Sequence, residues 1–213
     1  SFAHLKLNGV MRSADGMSNR GIESLVNDLN AAYSNPKISG ILIEANTGGG
    51  ENIAGQILQS AISSKNKPVL IFAHMLASAG VRGTAPADEF WASGKGAQIG
   101  SIGTFISMAK GLREWYNENI EDIYSSESTN KNQEFRAFLK GDKTGLLQAV
   151  NKSNNIFTAE IKKYRPLKGD IKNTLSGQLF HAAEARSRGL IDGIGDFATA
   201  VKRLNTLVKR QNK

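Results

Sequence analysis

Ser78 is the residue of this chain whose neighbours best equip it for chemistry. It lies in Leu76-Ala77-Ser78-Ala79-Gly80, where a buried apolar run, Val69 to Ala73, gives way to small residues. A serine between a strand and a helix has an exposed hydroxyl, little bulk around it and backbone N–H groups beside it. Those are the needs of a nucleophile. The plainer reading is a helix N-cap in a tight βα turn, a common place for serine.

A serine nucleophile needs a base. The three histidines, His4, His74 and His181, are far apart and lack metal-ligand spacing. Only His181 comes late enough for a Ser-His-Asp triad, and it starts a helix beside Phe180. There is no cysteine, so thiol nucleophiles and disulfides are excluded. A lysine serves as base where burial lowers its pKa. A second turn, Asn46-Thr47-Gly48-Gly49-Gly50, follows another buried strand. In a parallel sheet, turns after neighbouring strands share an edge. Amide groups of Gly49 or Gly50 and of Ala79 would then form an oxyanion hole around an acyl intermediate.

Other motifs fail on spacing. Gly48, Gly50 and Gly55 miss the dinucleotide fingerprint by one residue, and the next strand ends without an acidic residue for a ribose. Gly94-Lys95 is followed by glycine, which excludes a P-loop. Ser64-Lys65-Asn66-Lys67 matches S-x-x-K but closes a helix instead of opening one.

The elements that must position Ser78 read as β-α-β-α-β-α over the first 86 residues. Strands are expected at Phe2–Val10, Ile38–Ala45 and Pro68–His74, with amphipathic helices at about 20–34 and from Ile53 to near Lys65. That alternation implies right-handed crossovers and a parallel sheet. Further strands are expected at Glu89–Ala92, Thr104–Met108, Ile120–Tyr124 and Leu175–Phe180. Gly94–Gly103 reads as a glycine-rich loop and Ser125–Lys143 as a mobile loop or short irregular helix. Helices are expected at Leu112–Tyr116, about 144–164, His181–Gly189 and Phe197–Lys209, the first long one with Leu146, Leu147, Val150, Ile156, Phe157 and Ile161 as core.

A length of 213 residues suggests one domain, and 40% hydrophobic with 22% charged residues is ordinary for a soluble globular protein. The net charge of +8 is partly local, with one cluster at Lys162–Lys168 and another at Lys202–Lys213. No aromatic residues interleave with the terminal cluster, so nucleic acid is not expected; a solvated helix end or an assembly contact is. No apolar run spans a bilayer and no signal peptide is visible. Residue 1 opens almost directly into a strand-like segment, so the missing anchor carries little weight. The expectation is a cytoplasmic protein, membrane-associated if an anchor precedes residue 1.

Taken together, the stretch from Ile41 to Gly103 resembles the signal peptide peptidase A family, related to Clp protease and the crotonase fold. The family's N-S-P-G-G turn is similar to Asn46–Gly50, its A-A-S-G-G-Y turn to Leu76–Val81 and its G-S-I-G-V segment to Gly100–Thr104. Its late F-T-G-x-x-A-x-x-x-G-L-V-D-x-I-G segment is similar to Phe180–Ala185 and Gly189–Gly195. The resemblance implies an α/β fold of stacked β-α-β units with a mostly parallel sheet and flanking helices. It implies a serine endopeptidase with a Ser/Lys dyad and no metal or cofactor. Ser78 would be the nucleophile, with Gly49, Gly50 and Ala79 as oxyanion donors. Gly100, Ser101, Ile102 and Gly103 would line a substrate groove. The base is expected near Lys131, 53 positions after Ser78, in Ile123–Lys131, with Lys140 and Lys143 as alternatives. Thr129 stands nearer the family's lysine position and Ser126 replaces a glycine.

The family's soluble phage members process capsid scaffolds, and its anchored members degrade signal peptides. The polar dyad loop favours the phage kind, located in a prohead. Both kinds act on peptide or unfolded protein and assemble as rings or domes. Two rivals share the fold: a crotonase-like acyl-CoA enzyme, and a non-catalytic assembly protein.

Overall fold

In a computed structural model, residues 1–16 and 20–211 are described. The chain divides into two compact units, one of Ser1–Gly103 with Phe157–Lys213 and one of Thr104–Ile156.

The first unit holds the sheet. Strands β1 (Phe2–Met11), β2 (Gly40–Gly50) and β3 (Val69–Ala77) pair in parallel, followed by β4 (Glu89–Ala92) and β7 (Gly193–Ile194). Strand β5 (Gln98–Gly100) continues the outer edge of β3 beyond β4, and β6 (Leu179–His181) pairs with it antiparallel. The continuous apolar runs Ile41–Ile43 and Val69–Ala73 make sense once both faces are covered. On one face Ile41, Ile43, Val69 and Ile71 pack with Leu25 and Leu29 of α1 (Ile22–Ser34) and Leu58 and Ile62 of α2 (Asn52–Ser63). On the other, Leu42, Leu70 and Phe72 meet Ala200 and Leu204 of the last helix, α9 (Phe197–Gln211). Each fully buried Leu, Ile or Phe contributes about 1.5–3 kcal/mol.

Several elements differ from the sequence expectation. Strands β2 and β3 run on through Gly50 and Ala77, because after a shift of register their ends still pair with a neighbouring strand. Gln98–Gly100, read as loop, is β5. Thr104–Met108 and Ile120–Tyr124 contain no strand, since β-propensity without a partner strand makes no ladder. Leu175–Phe180 shrinks to β6. One residue of each basic cluster is structural. Arg165 is buried, bonding Asp192 at 2.5 Å over the Phe90 ring, and Arg203 of α9 pairs with Glu89 of β4.

The second unit holds α4 (Leu112–Asn119), α5 (Gln133–Leu139) and most of α6 (Thr144–Tyr164). Of the core residues expected on α6, only Phe157 and Ile161 are buried, and both belong to the first unit. Leu146, Leu147 and Val150 instead line an open apolar groove of about 560 Å³ with Phe105, Ile106 and Phe138. Among the described residues, no helix is long and apolar enough to cross a membrane.

Candidate active site

Ser78 sits between β3 and the short helix α3 (Ala79–Thr84). Its backbone has φ +51° and ψ −123°, a region that a non-glycine residue rarely occupies. The strain is held from both sides. The Ser78 N–H donates to the Gly100 carbonyl at 2.9 Å, and its carbonyl accepts from the Arg82 N–H at 3.1 Å. The side chain is half-buried, and although Ser78 occupies the N-cap position its hydroxyl makes no capping bond. A hydroxyl retained for capping is therefore a poor description of this serine.

The glycine turn lies against it. A Cβ placed on Gly49 would stand 2.7 Å from Ser78 Cβ and 2.9 Å from the Ala79 nitrogen, so only a glycine fits there. The approach is set by Thr47, which sequence reasoning passed over. Its hydroxyl, 1% exposed as a residue, donates to the Gly9 carbonyl at 2.6 Å and accepts from the Gly49 N–H at 3.0 Å. The Gly49 amide, one of two oxyanion donors expected from this turn, is thus engaged. Gly50 is exposed. A β-branched residue with a hydroxyl just before three glycines was the available signal for this brace.

The Gly100–Gly103 segment is equally constrained. Ser101 has φ +51°, and its N–H donates to the Gln178 carbonyl at 2.6 Å. Ile102 is fully buried in the core, so its side chain lines no groove and only its backbone is available to one. Lys131, Lys140 and Lys143 belong to the second unit and all three are exposed. Lys131 is not buried by its own surroundings. His181 is an exposed N-cap residue of α8 (Ala182–Ser187) with no capping bond.

The other two histidines come together. His4 and His74 each approach Glu44 at 2.9 Å through Nε2, one on each carboxylate oxygen. The His74 hydrogen bond chiefly holds the Glu44 carboxyl below the usual range, with His4 adding to it against a desolvation cost. His74 is the extra residue of a bulge, since Ala45 pairs with Ala73 and Asn46 with Met75. Among the described residues, no group of three or more His, Cys, Asp or Glu is arranged to hold a metal.

Comparison with known proteins gives this geometry a relative. The model of the family described as Peptidase family S49 matches residues 61–211. The chain belongs to peptidase family S49. The S49 match includes Ser78 and the three lysines and begins after the glycine turn. A curated relative named as a candidate protease, MJ0651 of Methanocaldococcus jannaschii, is 28% identical over 195 residues, covering 88% of this chain. The chain spans 62% of that relative's length.

Solved structures share the fold. A serine-to-alanine mutant of the 1510-N membrane-bound stomatin-specific protease gives a TM-score of 0.56 at 17% identity, over 95% of this chain and 84% of that one. A lysine-to-alanine mutant of the same protease with a substrate peptide gives 0.62 at 16% identity, over 95% and 78%. ClpP1 of Listeria monocytogenes gives 0.60 at 14% identity, over 93% and 94%. The S49 chain is thus an α/β protein with the Clp-type arrangement of a mostly parallel sheet and flanking helices.

Proposed function

We propose that this S49 chain hydrolyses peptide bonds, with Ser78 as the nucleophile. The observation that carries the reading is the meeting of two turns: a half-exposed, uncapped serine at φ +51° against the backbone of Gly49. Strain at an uncapped serine, with space beside it kept clear by a glycine, is a cost that packing alone does not explain. The oxyanion would be held by the amides of Ala79 and Gly50. The Glu51 N–H donates to the Met11 carbonyl at 2.9 Å, which fixes the end of the glycine turn against β1. The Gly49 amide contributes by fixing the turn through Thr47. Gly100, Ser101 and Gly103 would offer backbone to an extended substrate.

The base would be a lysine, Lys131 first and Lys140 or Lys143 otherwise. Its exposure means that bound substrate or a second copy of the chain must exclude water from it. Solved neighbours bearing a serine-to-alanine and a lysine-to-alanine change, one of them with a substrate peptide, support this division of roles. The substrate class is peptide or unfolded protein, cleaved within an oligomer. Capsid-scaffold processing predicts cleavage of polar scaffold segments; signal-peptide degradation predicts a preference for peptides with an apolar run of about 7–15 residues.

Ser78→Ala should lower cleavage of an unfolded peptide by about a thousandfold or more while leaving circular dichroism and Tm unchanged. A serine-reactive phosphonate should label the native chain at Ser78 alone. Retained cleavage in the variant would remove the nucleophile from Ser78. The exposed Lys131 favours one rival, a non-catalytic assembly protein, which predicts neither labelling nor cleavage. A crotonase-like enzyme predicts coenzyme A binding that is indifferent to Ser78→Ala.

A further inference from the structure

Arg82 stands one helical turn beyond Ser78 and is 1% exposed. Its backbone N–H bonds the Ser78 carbonyl at 3.1 Å. Its guanidinium joins three elements. Nε and Nη2 donate to the two carboxylate oxygens of Glu160 on α6, at 2.7 and 3.1 Å, and Nη1 donates to Asn52 Oδ1. The Phe157 ring lies 5.9 Å from the guanidinium carbon, and the Arg82 carbonyl accepts from Gln59 of α2 at 3.4 Å. Asn52 opens α2, two residues after Gly50. One buried fork therefore ties the helix start that follows the glycine turn to the helix start that carries Ser78.

A charge is an expensive way to fill that space. Apolar residues of similar volume commonly serve stability as well or better than a buried ion pair. What the guanidinium adds is fixed direction, since its donors leave in one plane at set angles. Small residues let the helices come close but do not fix their register: a Cβ on Gly55 would meet the Ala79 carbonyl at 3.1 Å, and one on Gly83 would meet Leu58 at 3.0 Å.

We infer that Arg82 is a positioning residue that sets the spacing between the Gly50 amide and the Ser78–Ala79 backbone by clamping Asn52 and Glu160. Its effect on rate rests on the hydrolytic reading above; its effect on geometry does not.

Arg82→Met alone strands the Glu160 carboxylate and is expected to lose stability, so the deciding variant is the double replacement Arg82→Met with Glu160→Met. Its Tm should stay close to that of the wild type. Its kcat on a peptide and its rate of Ser78 labelling by a fluorophosphonate should fall about 10- to 100-fold with KM little changed, the scale of loss for a small misplacement. Arg82→Lys, which keeps the charge without the fork, should recover only part of the rate. Asn52→Ala, at an exposed position, should fold and move the rate the same way by less. In amide NMR spectra, Gly50 and Ala79 should shift in each variant.

Wild-type kcat and labelling in the folded double variant would overturn the assignment, as would unmoved Gly50 and Ala79 resonances. If the wild type neither cleaves nor labels, the hydrolytic reading falls instead, and the amide shifts alone decide the role of Arg82.

Discussion

Ser78 keeps a backbone conformation that costs about 1–3 kcal/mol for a residue with a side chain. Its own type and its small neighbours were readable in the chain; the strain was not, because φ is decided by the bonds to Gly100 and Arg82 that only the fold supplies. The same holds for Thr47, whose hydroxyl looks like any other until Gly9 and the Gly49 amide are seen on it. The three glycines of the turn, alike in sequence, are now unequal. Gly49→Ala would put a Cβ 2.8 Å from the Ala77 carbonyl at φ +93°. It should cost about 1–3 kcal/mol in urea unfolding and slow phosphonate labelling of Ser78. Gly48→Ala meets nothing nearer than 4.0 Å and should change stability by less than about 0.5 kcal/mol. Equal effects of the two substitutions would mean that the turns do not touch as described.

At the scale of elements, alternation and apolar runs located β1, β2, β3, β4, α1, α2 and α9, because burial on one or both faces writes a period into the sequence. Thr104–Met108 and Ile120–Tyr124 carry the same strand-like composition, yet Phe105 is 82% and Ile123 93% exposed. Composition announces what a segment could pair with, not whether a partner is there. Helix α9 is held by more than its apolar stripe. Arg203 Nε donates to both Glu89 oxygens at 3.0 and 2.7 Å, and the Trp91 indole N–H donates to the same carboxylate at 2.9 Å. Burial pushes the Glu89 carboxyl up, but these bonds outweigh it and hold its pKa below the ordinary 4.5. A depressed carboxyl stabilises the fold above its unfolded pKa and loses that contribution as pH falls through the folded value. The docking of α9 should therefore weaken below about pH 4.5, read as Trp91 emission in a Trp115→Phe background. Glu89→Gln should remove that acid slope. Arg203→Met, which strands the carboxylate, should cost about 1–3 kcal/mol at neutral pH.

At the scale of the molecule, stability is unevenly distributed. Among the described residues, Phe138 is the one buried hydrophobic side chain of residues 104–156, and α4 buries none. The first unit holds the whole sheet and both core clusters. Segments with few buried apolar contacts open at low free energy, whatever the global stability. Limited trypsin digestion should accordingly cut first within residues 104–156, where Lys110, Arg113, Lys131, Lys140 and Lys143 are exposed. Residues 1–103 and 157–211 should remain associated, because β7 pairs with β4 and α9 packs on β2 and β3. Backbone amides of α4 and α5 should exchange faster than those of β2 and β3. Equal protection across both units would show that residues 104–156 are as firmly built as the sheet. The nicked chain also separates two questions that the sequence runs together. Ser78 stays in the resistant unit and should still react with a phosphonate, more slowly if the proposed lysine base has been released. Peptide cleavage, if the proposed lysine is its base, should be lost. A nicked chain that cleaves at the full rate would place the base outside residues 104–156.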